Sequence, residues 1–325
     1  MDQQISQARA EVIAVTGGTG FVGGTLINRL LADGKSVRAL VRTPEKAKQW
    51  QANAGFTAIS GDLNDKDALS RLCAGADVLI HGAGVVMARD DADYAKVNAD
   101  GAGNAAAAAK RSGARVVLLS SMSARFPDVS PYAASKRGGE TAVEAETPAF
   151  TSLRLPVIYG PGDFGTLSFF VLAERGLALE PATKPPARAS ILFSEDIADA
   201  ILEAANAAAT KTVHDVGDAS PDGYSWGEIS AEVARAVEKQ TRTLRAPKPI
   251  MAAYAGAARQ VSRLIGAPPP FRTGQINELY TTDWVARDNL FNSAFDWGPK
   301  IALYDGFKQT VRWYRDKGHL AQKPS

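Results

Sequence analysis

Tyr132 and Lys136 stand four positions apart, and ten residues separate Ser121 from the tyrosine. On a helix, positions i and i+4 share one face, so the phenol and the ammonium can act on one small volume. A phenol with its ordinary pKa of about 10 is a poor base at neutral pH, and a neighbouring ammonium favours its ionised form. Tyr132 can then exchange a proton with a substrate oxygen as general acid/base. Ser121 ends the apolar run RVVLLSS, where it would hydrogen-bond the same oxygen and hold it in line. Ser123 is the alternative serine; Ser121 is preferred because it sits directly at the strand end. Asn98, in YAKVNADG, could hold a water that extends the proton relay.

These groups need elements that carry them to a common edge. Short apolar runs predict strands over 12–16, 36–41, 57–60, 77–81, 115–120 and 152–155. Helical runs lie between them, over 20–32, 44–51, 65–74, 92–112 and 132–146. The alternation predicts an α/β fold, a doubly wound parallel sheet of the Rossmann kind with helices on both faces. After about residue 156 the pattern loosens and prolines gather, among them Pro181, Pro185, Pro186, Pro247 and Pro249. This predicts a smaller, irregular C-terminal substrate lobe over the sheet's C-terminal edge, where open α/β sheets bind ligands. The expected division is 1–155 for a nucleotide and 156–325 for the substrate, with 190–205 returning to the first part.

Between the first strand and the first helix lies TGGTGFVGG. Gly17, Gly18, Thr19, Gly20, Phe21, Val22 and Gly23 are read as a phosphate-binding turn. Gly17 and Gly18 would take backbone angles closed to other residues, Gly20 would let a pyrophosphate approach, and Gly23 would let the helix pack close. Both the GxGxxG and the GxxGxxG spacing fit, and the strand-turn-helix setting makes a dinucleotide the expected ligand. An NAD site usually keeps a carboxylate at the end of the second strand. Here Val41 stands in that place, followed by Arg42 and Thr43. An arginine there pairs with a 2′-phosphate, so NADP(H) is favoured over NAD(H). Asp62 and Leu63 are expected at the adenine, and Ala83 and Gly84 along the cofactor path. Lys136 would also bind the nicotinamide ribose, and a positive nicotinamide ring would help to ionise Tyr132.

Lys and Arg total 37 against 35 Asp and Glu, which leaves no basic field for nucleic acid. A single cysteine, Cys73, excludes an internal disulfide and suits a reducing compartment, so a cytoplasmic location is expected. Neither a secretory leader nor a membrane span is expected. The segment 249–265, PIMAAYAGAARQVSRLI, reads as an amphipathic helix covering a substrate pocket, with peripheral membrane contact as its second reading. His81 is read as a packing residue, and His214 and His319 have no partners at metal-ligand spacing, so no metal is expected.

These segments together resemble the extended short-chain dehydrogenases/reductases, the NAD-dependent epimerase/dehydratase type. TGGTGFVG is similar to that family's nucleotide turn, GDL to its adenine contact, and SS with YAASK to its active site. RLPVIYGPG resembles the segment beside the nicotinamide, which brings in Pro156 and Val157. The segment 193–198 resembles one whose aspartate, here Asp196, is structural. The tail from DWVARDNL onward resembles the branch that holds 3β-hydroxysteroid dehydrogenases and dihydroflavonol reductases. The resemblance implies hydride transfer on the pro-S face of the nicotinamide. It also implies a homodimer through the helices over 92–112 and 132–146. Ala102, Gly103, Ala105 and Ala106 suit such a contact or a sheet-facing surface equally.

The expected activity is interconversion of a ketone and a secondary alcohol on a bulky apolar small molecule, in the reductive direction. Sterol-, polyprenoid- and sphingoid or ceramide-like lipids are the candidates. Met251, Tyr254, Phe271 and Tyr280 either line its pocket or form the smaller lobe's own core. Two alternatives stay open. One is a sugar-nucleotide epimerase or dehydratase, with Arg188, Arg242 and Arg272 for a diphosphate. The other is a cofactor-binding or assembly protein without turnover. The short spacing from Ser121 to Tyr132 and the turn MSARFPD weigh against the first.

Overall fold

The computed structural model describes residues 11–88, 90–265 and 273–322; Phe271 and Arg272 lie outside these. Six strands set the frame: β1 (Val12–Thr16), β2 (Ser36–Val41), β3 (Phe56–Ser60), β4 (Val78–His81), β5 (Arg115–Ser121) and β6 (Phe150–Leu155). They lie parallel in the order 3-2-1-4-5-6, and Thr212–Asp215 adds a seventh strand beside β6. Stretches such as VIAVT and VLIH are apolar up to their last residue because helices cover both faces.

One face is covered by α1 (Phe21–Ala32) and the helix Ser194–Asn206, through Leu26, Ile27, Leu30, Ile197 and Ile201. The other carries α2 (Lys66–Cys73) and a long composite helix. That helix starts as α3 (Asp91–Tyr94), passes through a π-helical turn at Ala95–Asp100, and continues as α4 (Gly101–Ser112). Ala102, Ala105 and Ala106 are buried within this layer, and Gly103 faces Ala142 of the next helix. The expected doubly wound α/β sheet is therefore the one found.

Local chemistry fixes the helix ends. The Asp65 carboxylate accepts from the Ala68 N–H at 2.8 Å to start α2. Gly113, at φ +78°, closes α4 in the left-handed region. The Ser130 hydroxyl accepts from the Ala133 N–H at 2.9 Å and opens α5 (Pro131–Glu146), with Pro131 in its first turn. This cap sets Tyr132 and Lys136 at the start of α5, beside the end of β5.

Beyond β6 the elements are short and pair over long sequence distances, as Leu177–Pro181 does with Arg242–Ala246. Tyr159, Phe170, Phe193, Phe307 and Tyr314 form a separate aromatic core. Helix Lys248–Ile265 packs on helix Thr273–Leu279 through Met251, Ala255 and Ile276, with Tyr280 at the margin. Met251 and Tyr280 thus belong to a small local core. Tyr254 is 55% exposed on the outer side of its helix, so it is not part of this core, whose inward face is taken by Met251 and Ala255.

Candidate active site

The strand order reverses between β1 and β4, and the ends of these strands open a crevice. Gly17 sits there at φ +76°; a Cβ on it would stand 2.5 Å from the Gly82 carbonyl carbon. A Cβ on Gly23 would stand 2.2 Å from the Gly17 oxygen, so α1 can start this close to the turn only without a side chain there. Gly18 differs from expectation. Its backbone is not left-handed; its missing side chain makes room for Ile27, whose Cδ1 would lie 2.5 Å from a Cβ. Gly20 precedes α1 without a side-chain cap, and the first turn of α1 holds no acidic residue. The leading N–H groups and the positive helix end suit a phosphate, so these residues fit a dinucleotide.

The crevice runs from Thr19 and Gly20 outward to Arg42, Asp62 and Leu63, with Ala83 and Gly84 on its opposite wall. Asp62 is fixed by accepting the Asn64 N–H at 2.7 Å. Three polar or charged lining residues were not singled out in the sequence: Lys46, Asn64 and Lys96. Lys46 was the legible one, four positions beyond Arg42 in the helical turn Pro44–Trp50. Thr43 is exposed beside Arg42 and is not among the lining residues. Phe21 lies against Gly162, and Val157 packs beside Met122 and Trp284.

The crevice opens into a second cavity that contains Ser121, Tyr132, Lys136 and Asn98, walled by Val22 and Pro156. The Ser121 and Tyr132 hydroxyls are hydrogen-bonded. Ser123 donates its N–H to Ser121 Oγ at 3.2 Å and so supports Ser121. Asn98, expected to hold a relay water, has its amide engaged by protein groups. Its Oδ1 accepts from the Val85 N–H at 2.8 Å, and its Nδ2 donates to the Val85 carbonyl at 3.0 Å and to Ser135 Oγ at 2.9 Å. The π-helical turn is where this clamp is built, in keeping with the placement of such turns at functional sites.

Desolvation pushes the Tyr132 phenol up to about 12; the Ser121 hydrogen bond opposes the rise, and Glu278 and Tyr94 add to it. The phenol therefore keeps its proton at neutral pH. The sequence led us to expect an ionised phenol beside an ammonium. Lys136 instead donates to the Leu119 carbonyl at 2.7 Å. Desolvation lowers its amine to about 8, with Glu140 pulling the other way. Glu278 was invisible from the motif because it arrives from the distant helix Thr273–Leu279. That helix lies on the start of α5, where Ser130 donates to Glu278 and Asn277 donates to the Val129 carbonyl at 3.2 Å.

Beneath the cavity lies a buried ionic cluster. Arg154 on β6 donates from Nε and Nη2 to the two oxygens of Glu140 at 2.8 Å each, and Ser120 adds a bond of 2.6 Å. Arg188, a diphosphate candidate, is committed to the Asp222 and Gly223 carbonyls at 2.8 Å each. Arg242 is exposed on its short strand.

Residues 13–217 match the NAD dependent epimerase/dehydratase family. The chain belongs to this family. The family is that of the extended short-chain dehydrogenases/reductases, and this member is an NAD(P)-dependent oxidoreductase. It is 38% identical over 309 residues to the ceramide reductase of Caulobacter vibrioides, covering 95% of this chain and 96% of that one. It is 34% identical over 182 residues to a 4-hydroxy-2-methyl-3-oxo-4-farnesyl-3,4-dihydroquinoline-1-oxide ketoreductase of Stigmatella aurantiaca, covering 50% and 54% of the two chains. Among solved structures, the Bordetella bronchiseptica enzyme WbmG in complex with NAD and UDP shares the fold. Its TM-score is 0.74, its identity 19%, and 96% of each chain is covered.

Proposed function

We propose that this oxidoreductase reduces a ketone on a ceramide-like lipid to the secondary alcohol, with NADPH as the hydride source. The observation that carries the reading is the Tyr132 phenol, held protonated in the cavity and hydrogen-bonded to Ser121. A group in that state is ready to give a proton, which is what ketone reduction asks of it. The apolar substrate class is supported by the cavity's Val22, Leu119, Leu155 and Ile158, and by Val86 at its edge. The full-length likeness to a ceramide reductase supports the ceramide-like member of that class.

Arg42 and Lys46 would hold the 2′-phosphate, and the leading N–H groups of α1 the pyrophosphate. When bound, the reduced nicotinamide supplies the hydride that adds to the carbonyl carbon. Ser121 donates a hydrogen bond to the carbonyl oxygen and holds it beside Tyr132. Tyr132 gives its proton to that oxygen as negative charge develops there. Lys136, charged below about pH 8 and held by the Leu119 carbonyl in the same cavity, adds a positive charge to the surroundings in which the proton leaves Tyr132.

The test is NADPH consumption by the purified protein with a panel of ketones: a ceramide-like ketolipid, a sterol ketone and a polyprenyl ketone. Fastest turnover of the ceramide-like ketone is expected. Conversion of a UDP-sugar with retained NAD, and no ketolipid reduction, would replace this reading with the sugar-nucleotide one.

A further inference from the structure

From Lys239 to Asn277 the chain carries seven Lys or Arg and no Asp or Glu, in a protein whose formal net charge is +2. The same stretch concentrates apolar exposure. Of the six large apolar side chains left exposed among the described residues, three are Leu244, Ile250 and Tyr254. Two more, Val86 and Met87, follow the loop at the edge of the catalytic cavity. Ile250, Ala253, Tyr254 and Ala257 are all exposed at the i, i+3, i+4, i+7 spacing, which makes one apolar stripe along helix Lys248–Ile265. The opposite side of this helix is already used by Met251 and Ala255 against Ile276. The exposed stripe is therefore a second apolar face, additional to the one the fold buries. Arg242, Arg245 and Lys248 are exposed just ahead of it.

We propose that helix Lys248–Ile265, with the strand Arg242–Ala246 before it, docks the enzyme on an anionic bilayer surface. The inference rests on the lipid-ketone reading above. Glu180 of the neighbouring strand faces Arg245 at 3.6 Å, which leaves Arg242 and Lys248 as the basic charge beside the apolar stripe, and that combination complements anionic headgroups over acyl chains. An acidic protein partner would satisfy the charge without using the stripe along its length. Position gives the docking a purpose. The helix rests on Thr273–Leu279, which lies on the start of α5 and brings Glu278 next to Tyr132. A surface bound here lies on the outer side of the elements that cover the catalytic tyrosine, so an apolar substrate can leave the bilayer close to its site of reduction.

The experiment is flotation of the full chain with vesicles of pure phosphatidylcholine and of phosphatidylcholine mixed with phosphatidylglycerol. Binding to the anionic vesicles, lost in high salt, is expected, with about tenfold or more weakening by Ile250→Asp and by Arg242→Glu with Lys248→Glu. NADPH binding by both variants serves as the check that they are folded, since these side chains are solvent-exposed. Failure to bind anionic vesicles overturns the proposal and leaves the face to an acidic protein. Binding that Ile250→Asp does not weaken also overturns it. Vesicle binding needs no turnover. A protein that binds anionic vesicles through this helix yet reduces no ketolipid would refute the proposed reaction and leave the docking intact.

Discussion

Glu140 holds Arg154 through two hydrogen bonds of 2.8 Å, and it does so one helical turn beyond Lys136. The carboxylate is 3% exposed and the arginine 7%. One negative charge thus joins β6 to α5 and also contributes to the field felt by Lys136. It is the charge that raises the Lys136 amine against the desolvation that lowers it. The structural clamp and the tuning of the site share a residue.

The pH profile should report this. Lys136 is charged below about pH 8 and neutral above it, so turnover with ketone is expected to fall as pH rises through that value. Glu140→Gln removes the raising charge and should shift the falling limb to lower pH, whereas Glu140→Asp should leave it near its original place. Glu140→Gln also leaves Arg154 without its full counter-charge, at a cost of about 3–5 kcal/mol in stability. Rate profiles and melting temperatures of the two variants separate the effects. An unmoved limb in Glu140→Gln would remove Glu140 from the tuning of Lys136.

Tyr132→Phe keeps the ring and removes the proton. Turnover is expected to fall by about 10²–10⁴-fold, with NADPH affinity nearly unchanged. Parallel turnover measurements and nicotinamide fluorescence titrations check it. Retained turnover would assign the proton to another donor.

Arg42→Asp places a repelling carboxylate where the 2′-phosphate is expected. NADPH binding should weaken about tenfold to a hundredfold and NADH binding far less. Lys46→Ala should act in the same direction with a smaller effect, because a lysine contributes a point charge and lacks the paired donors of arginine. Titration of each variant with both cofactors decides; equal loss of the two would remove the phosphate contact.

His81 is buried at the end of β4, hydrogen-bonded through Nδ1 to Thr16 Oγ1 at 2.8 Å. Desolvation, aided by the Lys136 charge, lowers it from 6.5 to about 3. A folded state with this depressed value binds fewer protons than the unfolded chain between those limits. Stability is therefore full above about pH 6.5 and is lost as pH falls towards 3. Urea midpoints at pH 7 and pH 4.5 should differ, and His81→Asn should narrow the difference. An equal difference in wild type and variant would place the acid sensitivity elsewhere.

The strands of the sheet were legible because burial on both faces leaves runs such as VIAVT and RVVLLSS with no competing pattern. The strand Thr212–Asp215 was missed for the opposite reason. Its sequence TVHD carries polar side chains that find partners far along the chain, as when His214 bonds to the Asn289 carbonyl. The geometry around Ser121, Tyr132 and Lys136 followed from one strand end and one helix start, both local signals. Glu278 acts on Tyr132 through its charge from a helix about 140 residues further along the chain, which no local spacing announces. The core reading of Tyr254 fails because helix Lys248–Ile265 has two apolar sides, and periodicity alone does not say which one faces inward.

The Asn98 clamp on Val85 bears on how quickly the cofactor can be accepted and released. The loop after β4 forms one wall of both the nucleotide crevice and the reaction cavity. Held at both its N–H and its carbonyl, Val85 has little backbone freedom to surrender when a dinucleotide arrives. The ordering penalty is met during folding, once, and not at every catalytic cycle. Cofactor exchange then needs no rebuilding of this wall between turnovers, which suits an enzyme that must release a spent cofactor and take up a fresh one each time.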